Sequence, residues 1–368
     1  MTRILFAGYA PVHFLCFLPV YERLREEADV EIWLSGGFRR KGASGEKVHE
    51  IEGFYDPFEV TRDRVVSLDQ ARQMEVDVVV CAHTSDVFFP RRFGKAVQIF
   101  HGVSFKNFAV RDKVMRYDVL CIPGPYHAEL FRKEGLIRED GPACLMTGFA
   151  KADRLVSTDL DRDAFLRAAG VDPRRPTVLY APPGGKNNSL ETIGEETIVA
   201  IANDGRWNLL IKPHDHPKRA IDWFTRLAPL ESDHVRVVRD LDVVDYLRAS
   251  DLLLTDASSV AVEYTLLDRP MVFIDVPKLL KNVLDRGAPL DLTTYGRKIG
   301  TVASTPAEVV TQIEHGLAAP AAGSDLRRAM AREVFHRPGG ASARVTAAVR
   351  WAAGLQAELP DDVRVLQP

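Results

Sequence analysis

Three stretches of this chain carry residues whose types and spacing suit chemistry on a phosphate. AVQIFHGVSFKN (96–107) delivers His101 and Gly102 at the end of an apolar run, and Lys106 follows four residues after the glycine. An imidazole titrates near neutrality, so His101 suits a general base, while Gly102 permits a tight turn and close ligand approach. NLLIKPHDHPKR (208–219) runs from an apolar strand straight into Lys212, His214, His216 and Lys218. Pro213 keeps the residue before it extended, so Lys212 ends the strand and His214 opens the loop. A lysine beside an imidazole can neutralise a phosphate and give a proton to a leaving oxygen. In DLLLTDASSVAVEYTLL (251–267) a strand ends at Thr255-Asp256, and Ser258 or Ser259 would cap the helix that follows. The N–H groups and hydroxyls gathered at that helix start suit a diphosphate.

Each stretch also has a plainer use. A strand-end histidine is often structural, a basic loop is often only solvated, and strand–cap–helix junctions are common. The spacing of His214 and His216 would serve a metal ligand pair, but no further Cys, His or carboxylate ligands follow at regular spacing, so no metal is expected. Recurrence favours chemistry: two His/Lys pairs, each at a strand end of a separate domain, can converge across one cleft.

The elements that must position these residues read as alternating strands and helices. Short apolar runs recur at RILFAG (3–8), VEIWLS (30–35), VDVVVCA (76–82), AVQIFHG (96–102), YDVLCIPG (117–124) and ACLMTG (143–148). They return at TVLYAP (177–182), NLLIKPH (208–214), VRVVRD (235–240), DLLLTD (251–256), PMVFID (270–275) and GTVAST (300–305). Each has the length of a strand buried on both faces, and amphipathic stretches such as LPVYERLREEA (18–28) and AEVVTQIEHGL (307–317) lie between them. That rhythm belongs to parallel sheets. It predicts an α/β protein of two doubly wound, Rossmann-like domains facing across a cleft, over 1–155 and 156–335, with a helical tail at 336–368. The break falls at GFAKADRLVSTDLDRDAF, followed by the proline-bracketed linker VDPRRP. Ligands in open α/β sheets bind outside the carboxyl ends of the strands, which is where the polar residues gather.

Composition narrows the classes. A chain of 368 residues suits two domains, and 48 Lys and Arg against 51 Asp and Glu argue against a nucleic-acid wrapper. Cys16, Cys81, Cys121 and Cys144 form no CxxC pair and read as free buried thiols of a reduced compartment. The start MTRILFAGYAP lacks a signal-peptide layout, and no run approaches the ~20 apolar residues of a spanning helix. HFLCFLPVY (13–21) reads as a core helix after the first strand.

HGVSFK, LYAPPGG, IKPHDHP, SDLLLTDASSVAVEYTLLDRPMVFID and GGASARV, in that order, resemble the CDP-glycerol glycerophosphotransferase family, which includes the teichoic acid glycerophosphate primases and polymerases. The resemblance spans about residues 97 to 347. It implies a GT-B fold, a CDP-activated polyol donor as substrate, no cofactor, and a lipid-linked or polymeric polyol or saccharide acceptor of the wall or surface. Under it His101 is the base for the acceptor hydroxyl, and Lys106 ends the same motif. His214, with Lys212 beside it, supports the donor diphosphate or its leaving group. Ser258 and Ser259 hold donor phosphate, next to Asp256. Three departures stand out: LYAPPGGKNN lacks the family's aromatic and arginine, Ala257 replaces a tyrosine, and Val262-Glu263-Tyr264 replaces a Phe-Asp-Tyr triplet. A nucleotide-sugar glycosyltransferase of the same fold is the alternative, and a non-catalytic binding protein a third reading. The expected location is cytoplasmic. A lipid-carried acceptor would bring the enzyme to the inner face of a membrane, where GGFRRKG (36–42) and FFPRRFGKA (88–96) would serve peripheral contact.

Overall fold

The computed structural model describes residues 1–368 apart from 43, 85–88, 104–108, 185, 215–220 and 285–296. Its first nine strands are β1 (Thr2–Ala7), β2 (Val30–Ser35), β3 (Phe38–Lys41), β4 (Lys47–Glu50), β5 (Val65–Val66), β6 (Glu75–Cys81), β7 (Arg92–Gln98), β8 (Val119–Ile122) and β9 (Ala143–Met146). Then come β10 (Thr177–Tyr180), β11 (Asn208–Ile211), β12 (Val235–Val237), β13 (Leu252–Thr255), β14 (Met271–Ile274), β15 (Thr301–Ala303) and β16 (Arg364–Val365). The chain forms two compact units: Met1–Val103 with 109–154 and Glu333–Pro368, and Leu155–Arg332.

The first unit is an eight-stranded sheet in the order β16-β9-β8-β7-β6-β1-β2-β5, with β3 and β4 as a separate hairpin. All pairings within the eight-stranded sheet are parallel except that of β16 with β9. Ile4, Leu5, Phe6, Val78, Val79 and Val80 are fully buried, the pattern of central strands covered on both faces. Each such side chain stabilises the sheet by roughly 1.5–3 kcal/mol. The chain winds outward from β1 to β2 and β5, then returns to the far side of β1 for β6 onward, so the order reverses between β1 and β6. Register levels the carboxyl ends: Ala7 lies opposite Ser35 and Cys81, and Cys81 opposite Gln98. Whatever follows those residues emerges along one edge.

The second unit is a six-stranded, wholly parallel sheet in the order β12-β11-β10-β13-β14-β15. Its order reverses between β10 and β13. Tyr180 lies opposite Ile211 and Leu254, which again levels the strand ends.

The sequence-predicted helix over 18–28 instead runs Pro11–Leu24. Proline favours a first helical turn, where its missing N–H costs nothing, so Pro11 marks the start that periodicity overlooked. The run HFLCFLPVY lies in that helix with all but Leu18 buried, as a core helix should be. All four cysteines are buried thiols outside any disulfide. Burial pushes the Cys81 and Cys121 thiols up to about 12 and Cys144 to about 11, which removes thiolate character at neutral pH.

The final segment packs within the first unit. Asp153 accepts the backbone N–H groups of Gly339, Ala341 and Ser342 and the Ser342 hydroxyl, at 2.7 to 3.0 Å. These are orphan donors at the start of the helix Ala341–Ala352, so one carboxylate caps it. The Arg344 side chain is 5% exposed and donates to the carbonyls of Thr147, His336 and Arg337 and to the Asp362 carboxylate. GGASARV is therefore a clasp. Losing the guanidinium would leave those carbonyls without a donor, at about 1–3 kcal/mol for each buried one.

Candidate active site

In the first unit, β7 ends in a turn that Phe100 makes in the left-handed region, at φ 55°. That conformation is costly for a side-chain-bearing residue and persists only when its surroundings impose it. Gln98, fully buried, imposes it here. Its Oε1 accepts the Phe100 N–H at 2.9 Å, and its Nε2 donates to the His83 carbonyl at 2.5 Å. The Tyr117 hydroxyl donates to the same carbonyl. The turn brings His101 to the strand edge, exposed on one side, with Nδ1 2.5 Å from the Ala82 carbonyl.

A carbonyl can only accept, so Nδ1 carries the proton and Nε2 of the neutral ring keeps its lone pair. That is the tautomer a general base needs. Loss of hydration among its neighbours holds the His101 pKa below the ordinary imidazole value. The bond to the Ala82 carbonyl works against this, and the Lys151 ammonium adds to it. Lys106, expected beside this histidine, lies outside the described residues.

Around His101 stand residues that sequence reasoning missed. His13, from the helix Pro11–Leu24, has its ring 4.8 Å from that of His101 and 5.1 Å from that of His83. Tyr9 packs on both His13 and His83, at 4.6 and 4.9 Å. Tyr9 and His83 follow β1 and β6, the pair of strands between which the order reverses, the preferred ligand position of an open sheet. His83 directly follows VDVVVCA and obeys the strand-end rule that selects His101. Nothing in the local sequence marks His13.

In the second unit the strand ends carry the other candidates. The Lys212 N–H bonds the Tyr180 carbonyl at 2.9 Å, so Lys212 continues β11. It is buried, with Nζ 3.5 Å from the Pro213 carbonyl. His214 is exposed two residues on, and His216 and Lys218 lie outside the described residues. Asp256 follows β13 and turns inward, its Oδ2 accepting the Ser189 N–H at 2.7 Å. Tyr180 donates to the Ser189 hydroxyl at 2.7 Å, Asn188 to the Pro183 carbonyl at 2.8 Å, and Thr255 to the Ala181 carbonyl at 2.7 Å. This network fixes the loop that follows β10, beside the point where the strand order reverses. Ser258 takes the cap position of the helix Ser259–Tyr264, but its hydroxyl makes no bond to that helix. The sequence reading placed Ser258 or Ser259 at this cap, and the structure puts Ser258 there with its hydroxyl uncommitted to its own helix.

The block SD–TD–SSV–EY–RP thus divides by strand end. At the amino end Asp251 accepts from Arg162 at 2.7 Å and from the Thr177 N–H at 2.8 Å. Tyr264 and Arg269 both donate to the Ser250 carbonyl. Those residues hold the sheet together. Asp256, Ser258 and Ser259 stand at the carboxyl end, the end at which open α/β sheets in general bind ligands.

Residues 60–350 match the sequence profile of the CDP-Glycerol:Poly(glycerophosphate) glycerophosphotransferase family. A teichoic acid glycerol-phosphate primase of Bacillus spizizenii is 38% identical over 199 residues, a match that spans 49% of this chain and 50% of that protein. Among solved structures, the wall teichoic acid polymerase TagF gives a TM-score of 0.68 at 16% identity, covering 97% of this chain and 90% of that one. A putative UDP-N-acetylglucosamine 2-epimerase from Listeria monocytogenes gives 0.62 at 13%, covering 99% of each. Those two likenesses show the fold, α/β of the GT-B type. With its profile matched over most of its length, the chain belongs to the CDP-glycerol:poly(glycerophosphate) glycerophosphotransferase family.

Proposed function

We propose that this protein transfers glycerol phosphate, or a similar polyol phosphate, from a CDP-activated donor to a hydroxyl of a cell-wall or surface polymer. The observation that carries the reading is His101, held by the Ala82 carbonyl in the tautomer whose Nε2 can take a proton. An acceptor hydroxyl gives that proton to Nε2 as its oxygen bonds the β-phosphorus. The bond from that phosphorus to the bridging oxygen breaks, and cytidine monophosphate leaves with the bond pair. Lys212 and His214 counter the charge that develops on the leaving group, with the hydroxyls of Ser258 and Ser259 on the donor phosphates. Asp256 is buried and accepts the Ser189 N–H, so it serves by shaping the loop after β10. The scheme uses no cofactor and requires no metal.

A lipid-linked acceptor would place the enzyme on a membrane surface from the cytoplasmic side. No described helix is long and apolar enough to cross one, which suits peripheral contact. Arg40, Arg92 and Lys95, from the two basic stretches, stand beside Glu50, Glu75 and Asp118, which blunts their positive potential. The contact would therefore be weak and salt-sensitive.

Calorimetry tests the donor site. Changing Ser258 and Ser259 together to alanine should weaken CDP-glycerol binding by about 10²–10⁴-fold, since hydrogen bonds to charged groups contribute about 1.5–3 kcal/mol each. Cytidine affinity should hold. Equal losses for both ligands would remove these serines from phosphate binding.

A further inference from the structure

We infer that His13 is a positioning residue for the reaction: its neutral ring, wedged against His101, fixes the orientation in which His101 presents Nε2 to an acceptor. The inference rests on reading His101 as the base.

His13 is a polar ring almost without exposure, at 2%. Its Nδ1 accepts the Tyr9 N–H at 3.2 Å. Only a lone pair can accept, so in this arrangement the ring is neutral and carries its proton on Nε2. The neighbouring backbone is cut to fit it. A Cβ added at Gly8 would stand 2.9 Å from His13 Cβ and 3.2 Å from its Nδ1, and one added at Gly36 would overlap the Gly8 carbonyl oxygen at 1.8 Å. His83 completes the packing, with Nε2 3.1 Å from the Ala7 carbonyl. Each of the three histidines is thus tied through one ring nitrogen to backbone at the same sheet edge: His83 and His101 as donors, His13 as acceptor.

An aliphatic residue would fill the same space but could not take the Tyr9 N–H. A protonated His13 could not take it either, and would repel the imidazolium that forms when His101 accepts a proton. A neutral ring 4.8 Å away adds no such repulsion. Among the described residues, the titratable and charged groups arrayed about His101 include His13, His83, Tyr9 beyond them, and Lys151. The His13 ring packs directly on that of His101.

The test compares His13→Ala, His13→Phe and His13→Gln with the parent, using histidine-labelled full-length protein and His101→Gln to assign the resonance. His13→Ala should lower kcat by about 10–100-fold, the usual cost of a misplaced catalytic group. Its donor KM should stay within about threefold, because the ring acts on the acceptor-side base. The His101 titration midpoint should rise toward the ordinary imidazole value as water replaces the ring. His13→Phe, which restores a ring, should recover most of kcat and the low midpoint. If His13→Ala does not fold, His13→Gln replaces it, keeping an acceptor for Tyr9 but no ring. Parent-like kcat and midpoint without the ring would overturn the inference, as would a phenylalanine variant no better than alanine. If the parent itself transfers nothing, the transfer reading falls, and the His101 midpoint alone decides: moved sustains the positioning role, unmoved overturns it.

Discussion

His101→Ala is expected to slow transfer by about 10²–10⁴-fold, the range for loss of a general base, while donor affinity stays within about threefold. The asymmetry follows from the proposed chemistry, in which Nε2 acts on the acceptor proton and the donor phosphates call on residues of the other sheet. The fold should tolerate the change, because Gln98 rather than His101 holds the strained turn at Phe100. A pH profile adds a second constraint. The base works only unprotonated, and its pKa lies below the ordinary 6.5. Activity should therefore persist below that pH and fail only as pH drops through the lowered value. A parent kcat/KM whose acid limb is centred above pH 6.5, or an alanine variant within a few-fold of the parent, would remove His101 from the mechanism.

His214→Ala should cost about 10²–10³-fold in kcat, the usual loss when one electrostatic donor to developing charge is removed, whereas His216→Ala should keep most activity. The Lys212 N–H still pairs with Tyr180, so the strand runs one residue beyond β11, and His214 is the first imidazole past its carboxyl end. His214 is exposed and can meet a ligand without reorganisation of the core. The two variants also address a metal pair: shared ligation would make both equally damaging and sensitive to chelators. An inactive His216→Ala beside an active His214→Ala would reverse the assignment.

Much of this was legible in the chain. Apolar runs of strand length, each ending in a polar residue, located both sheets and placed His101, Lys212 and Asp256 at strand ends. Local pattern carries that information because strand ends are punctuated locally. Pairings distant in sequence were not legible. His13 sits in an unbroken apolar run and acquires meaning only when the sheet brings Tyr9, His83 and His101 around it. Asp153 caps a helix 188 residues away, so nothing near 336–368 reveals that this segment closes the first unit. Motif resemblance likewise cannot separate Asp251, Tyr264 and Arg269, which brace the amino end of β13, from the serines at its other end. Both groups recur in one block because one strand connects them.

The most direct measurement incubates the purified chain with CDP-glycerol and a glycerol-phosphate-bearing acceptor, and follows nucleotide and phosphodiester together by phosphorus NMR and chromatography. Polyol-phosphate transfer predicts cytidine monophosphate and new phosphodiester in equal amounts, both lost in His101→Ala. Nucleoside diphosphate released from sugar donors, with no cytidine monophosphate from CDP-glycerol or CDP-ribitol, would contradict it and point to glycosyl transfer.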